Sequence, residues 1–156
     1  MALSKGKQPL FDIMNTKKKV ISGLGATATL SVDDTGSHVL LDRAAGIVVT
    51  LPLAVPGLYY DFTVVTSVTS NSYKVITGAG TELLIGGYTS VDTDTSNAVA
   101  VFTANGSSHI AVTMNGTTTG GLSGTKLRFT CLSTTKWLVE GVNNGSGIVA
   151  TAFATS

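Results

Sequence analysis

From Val20 onward the chain is cut into short runs of β-branched and aromatic residues, each closed by glycine, asparagine or proline. That punctuation excludes long helices. Threonine and valine, 24 and 17 of the 156 residues, carry branched Cβ atoms that suit a pleated strand. Glycine, with 18 copies, supplies turns. Ala26-Thr-Ala-Thr-Leu30 alternates as a half-buried strand should, and Ile47-Val-Val-Thr-Leu51 is a strand closed by Pro52. Val55-Pro-Gly-Leu58 has the Pro-Gly order of a type II turn. Tyr59-Tyr-Asp-Phe-Thr-Val-Val-Thr66 is the strongest strand signal in the chain. The polar stretch Gly86–Asn97 reads as a long loop carrying Tyr88. Asn105-Gly106 between two apolar runs predicts a hairpin, and Lys126–Leu132 with Lys136–Val142 predicts another. No sequence unit repeats. The expectation is an all-β fold, an antiparallel β-sandwich or partly closed barrel, formed by one domain over residues 20–156.

Charge is distributed unevenly. Lys5, Lys7, Lys17, Lys18 and Lys19 are five of the ten basic residues, with Asp12 as the only acid among the first twenty. The remainder carries five basic against eight acidic side chains. Residues 1–19 lack sustained periodicity and read as an extended basic arm, in which Phe11, Ile13 and Met14 are apolar anchors for a neighbouring surface. Charged residues make up only 12% of the chain, against about 25% in an ordinary soluble domain. A surface so poor in charge points to burial against other subunits.

The residues that could carry chemistry do not form a recognisable constellation. His38 and His109 fall at strand starts, outside any HxH, HxxxH or HxxE spacing. Asp33-Asp34 and the Asp92/Asp94 pair read as turn residues and lack the ligand spacing of an EF-hand. Gly86-Gly87 and Gly120-Gly121 open no phosphate loop, and no serine sits in a GxSxG elbow. Cys131, the single cysteine, forms no internal disulfide and is expected to be a buried thiol. No catalytic residue, metal site or cofactor is therefore assigned. The triple lysine at 17–19 lacks the arginines and stacking aromatics of a nucleic-acid surface, so direct nucleic-acid contact is not expected. No stretch reaches the roughly 20 apolar residues that span a bilayer, and no apolar h-region follows the basic start. Tyr88 is the one aromatic placed for ligand contact.

The run Ser31-Val-Asp-Asp-Thr-Gly-Ser-His-Val-Leu-Leu-Asp-Arg-Ala-Ala-Gly-Ile-Val-Val-Thr-Leu-Pro52 continues through Pro56-Gly-Leu-Tyr-Tyr-Asp-Phe-Thr-Val65. Ile85-Gly-Gly87 and Lys136-Trp-Leu-Val-Glu-Gly141 follow later. Together these segments resemble small β-rich decoration (cement) proteins of tailed bacteriophage capsids, and phage fibre and spike modules share the grammar. The resemblance covers roughly residues 25–141. It implies a non-enzymatic homotrimer on the outer surface of a virion head, synthesised in the host cytoplasm, with the major capsid protein as partner of the arm. The alternative it implies is a tail-fibre, spike or head-fibre module that binds host-surface glycans, with Tyr88 and its neighbouring loops as the contact.

Overall fold

The structure is a computed structural model that describes residues 18–94 and 98–156. Among these, twelve strands run in chain order: β1 (Val20–Ile21), β2 (Thr27–Thr29), β3 (His38–Leu41), β4 (Ile47–Thr50), β5 (Tyr59–Val64), β6 (Tyr73–Ile76), β7 (Leu83–Asp92), β8 (Val99–Thr103), β9 (Ala111–Met114), β10 (Lys126–Ser133), β11 (Lys136–Gly145) and β12 (Phe153–Ala154). They form a seven-stranded sheet in the order β1-β3-β5-β10-β11-β7-β8 and a five-stranded sheet in the order β12-β9-β6-β4-β2. The fold is all-β, and neither sheet closes into a barrel.

The sheets are mixed where the sequence suggested antiparallel pairing. β1, β3 and β5 are parallel neighbours in one sheet, and β2, β4 and β6 are parallel neighbours in the other. The reason lies in the connections. Each of the first six strands crosses to the opposite sheet, so each return to a sheet brings the chain back in its earlier direction. Asn105-Gly106 illustrates the same effect. The Asn105 side-chain oxygen accepts N–H bonds from Ser107 at 3.0 Å, Ser108 at 2.9 Å and His109 at 3.2 Å. This corner carries the chain from β8 to β9 in the other sheet, so the expected hairpin does not form. The β10–β11 hairpin does form, with Phe129 opposite Val139 and Cys131 opposite Trp137. The turn at 55–58 forms as well: Leu58 N–H donates to Val55 C=O, and Gly57 has φ +95°.

Alternate residues of both sheets face one shared core. Tyr60, Phe62, Leu127, Phe129, Trp137 and Val139 come from the larger sheet, and Ile47, Val49, Tyr73, Val75, Val112 and Met114 from the smaller. Burying side chains of this size stabilises the fold by about 1.5–3 kcal/mol each, before the entropy of ordering them is counted. Phe62 meets Phe129 edge-on, with ring centroids 5.4 Å apart. Glu82, buried beside Trp137, accepts bonds from the Ala54 N–H at 2.7 Å and the Trp137 indole N–H at 3.2 Å. Both bonds help satisfy a carboxylate that burial would otherwise penalise. Cys131 is a buried free thiol, and burial raises its pKa.

Candidate functional site

Strand registers place one residue of each strand in a row across the outward face of the larger sheet. The row runs Val20, His38, Asp61, Arg128, Glu140, Gly87 and Thr103. Asp61 belongs to the strongest strand of the sequence, yet it points away from the core. It is nevertheless only 3% exposed, because neighbouring side chains cover it. Arg128 stands opposite it on β10. Its Nε donates to Asp61 Oδ1 at 2.6 Å and its Nη2 to Oδ2 at 2.9 Å, a two-pronged match of guanidinium and carboxylate. Lys18 Nζ donates to the same Oδ2. The Tyr59 ring lies beside both cations, with Arg128 Cζ 5.4 Å and Lys18 Nζ 5.9 Å from its centroid.

A second contact fixes the same stretch. Lys19 Nζ donates to Asp34, whose other oxygen accepts bonds from the Ser31 N–H and hydroxyl, both at 2.8 Å. Asp34 ends a 3-10 turn at Val32–Asp34 that leads into Gly36. Gly36 has φ +77° and donates its N–H to Tyr59 C=O at 2.8 Å, drawing the turn against β5. His38 N–H in turn donates to Lys19 C=O at 2.8 Å. Residues 18–21 are therefore held on the sheet by two side-chain ion pairs and the parallel β1–β3 pairing.

The electrostatics follow this geometry. Arg128 and then Lys18 hold the Asp61 carboxyl well below the usual carboxylate range, against the opposing effect of burial. Lys19, then the Ser31 N–H, hold Asp34 down to about 2. Arg128 is raised in return, first by its bonds to Asp61, with the Glu140 charge adding to the effect. Beside this cluster lies an open groove of about 460 Å³ lined by Asp61, Lys126, Arg128, Glu140, Gly141 and Val142. It offers charges of both signs next to an apolar wall, which suits an extended polar segment lying across the strands.

The residues singled out in the sequence meet different fates. Lys5, Lys7, Phe11, Ile13, Met14 and Lys17 lie outside the described residues. Lys18 and Lys19 are spent on the domain's own aspartates, so they anchor the root of the basic segment. Tyr88 was expected in a loop open to ligand. It lies instead within β7, faces the core and is 2% exposed. Its hydroxyl accepts the Ala152 N–H at 2.6 Å, its ring contacts Phe102 and Phe153, and burial raises its pKa. Residues 86–92 of the expected loop are a polar strand, part of β7, and residues 95–97 lie outside the described residues. Ser90 and Asp92 of β7 and Asn143 of β11 all turn inward, so this end of the core is polar.

The Tyr59–Asp61–Arg128 cluster escaped the sequence reading. Its signal was thin: Asp61 is the one charged residue of its strand, and Arg128 shares its strand with Lys126. Among the described residues no group of three or more His, Cys, Asp or Glu side chains is arranged to hold a metal ion, and no helix is long and apolar enough to cross a membrane. Compared with family models, curated proteins and solved structures, the chain matches none.

Proposed function

We propose that this chain is a structural module of a virion, a decoration protein that binds the outer surface of a phage head as a homotrimer and ties neighbouring capsid subunits together. One observation carries the reading. A basic N-terminal segment is fixed at its root, through Lys18–Asp61 and Lys19–Asp34, to a β body that carries little charge of its own. Fixing the root on the sheet reduces the entropy lost when the preceding residues bind a second surface. Lys5, Lys7 and Lys17 supply positive charge for an acidic shell, while Phe11, Ile13 and Met14 supply apolar anchors. In a trimer three such segments act together, and the second and third contacts gain from effective concentration. The resemblance of the Ser31–Pro52 and Pro56–Val65 runs to phage decoration proteins points the same way.

Cosedimentation with heads that lack the protein tests the proposal. Saturable binding at a fixed copy ratio supports it. Absence of binding to heads, with binding to host-surface glycans, would replace it with the fibre or spike reading.

A further inference from the structure

The molecule has four sheet edges among its described residues, and one differs from the rest. β1 and β12 are two residues long and β2 is three, so each offers little backbone for pairing. β8 is five residues long and pairs only with β7. Asp92 N–H donates to Ala98 C=O at 2.8 Å and Ala104 N–H donates to Gly86 C=O at 2.9 Å. Even-numbered positions of this segment therefore bond to β7, and the N–H and C=O groups of Val99, Val101 and Thr103 point away from the sheet. The side chains of the same residues stand on the outward face, with Val99 65% and Val101 71% exposed.

Natural edge strands are usually guarded by charge, proline, a bulge or shortness. The stretch Ala98-Val-Ala-Val-Phe-Thr-Ala104 has no charge and no proline. An edge of this kind is complementary above all to itself. A symmetric pair sets like residues opposite one another, which charge would oppose and β-branched side chains favour.

We propose that β8 is a self-association strand, pairing antiparallel with β8 of a second copy about a two-fold axis at Val101. In this register Val101 faces its counterpart, and Val99 faces Thr103 on either side. Each of these pairs exchanges two backbone hydrogen bonds. The two seven-stranded sheets become one continuous sheet, and the exposed valines of both copies come together. The contact is isologous, so it is separate from any three-fold contact.

Sedimentation equilibrium over a dilution series tests it with three variants. Wild-type chain is expected at twice the mass of Val101→Lys and of Val101→Glu. Both substitutions fall at an exposed site and leave the core unchanged. An equimolar mixture of Val101→Lys and Val101→Glu chains is expected to recover the doubled mass, because opposite charges then face each other across the axis. Val48→Lys, on the outward face of the smaller sheet, is expected to keep the wild-type mass. Equal masses for wild type and Val101→Lys, or failure of the mixture to recover, would overturn the proposal, as would an equal loss in Val48→Lys.

Discussion

Asp61 concentrates the physical logic of this surface in one side chain. It is an outward-facing carboxylate made buried by its partners, so its stability depends on them. Removing Arg128 strands a covered charge with only the half-exposed Lys18 beside it. Arg128→Ala is therefore expected to cost about 2–4 kcal/mol in urea unfolding. Lys18→Ala, which removes the more solvated partner, should cost no more than about 1 kcal/mol. Equal losses would contradict this ranking. Acid reports on the same groups. Asp61 and Asp34 have folded pKa values below their unfolded values, so their stabilisation is complete above about pH 4. It is lost as pH falls through the folded values, about 2 for Asp34 and lower for Asp61. Thermal midpoints should fall between pH 4 and pH 2, and the slope should flatten in an Asp34→Asn/Asp61→Asn double variant. Glycine supplies a sharper contrast. A Cβ at Gly120, φ +84°, would collide with the Asn143 amide, which bonds to Gly121, Thr125 and Thr119. Gly57, φ +95°, faces open space. Gly57→Ala should cost about 1–2 kcal/mol from backbone strain alone, and Gly120→Ala more than about 3 kcal/mol.

At the scale of elements, β7 explains both a strength and a weakness of the sequence reading. Strands built from alternating apolar residues, such as Tyr59–Val64 and the β10–β11 hairpin, were legible because their inward positions are hydrophobic. β7 was hidden because its inward positions beyond Tyr88 are Ser90 and Asp92, and a polar pattern resembles a loop. Parallel pairing was hidden for a different reason. Turn chemistry at Asn105-Gly106 fixes a local change of direction, while the sheet that receives the next strand depends on packing of the whole core. The Asp61–Arg128 bond was beyond local reading because the partners are 67 residues apart in the chain. β7 also tethers the C-terminus through Tyr88 and Ala152. Tyr88→Phe removes that acceptor and should speed hydrogen exchange at the Ala152 amide about tenfold, corresponding to a hydrogen bond of roughly 1.4 kcal/mol. Unchanged exchange there would show that β12 is held by its pairing with β9 alone.

The whole molecule divides its labour between a β body and a basic N-terminal segment joined at Lys18–Ile21. The body carries few charges and leaves valines on its outward faces, as the proposed role inside an assembly would require. The segment carries the positive charge that such an assembly would meet. A chain of residues 18–156 retains both pinned lysines and all twelve strands, so its circular dichroism and melting temperature should match those of the full chain. The decisive comparison is the affinity of these two chains for heads that lack the protein, measured by cosedimentation at low and high salt. The account predicts saturable, salt-sensitive binding of the full chain and loss of most of that affinity on truncation. Equal affinities of the two chains for the heads would contradict it.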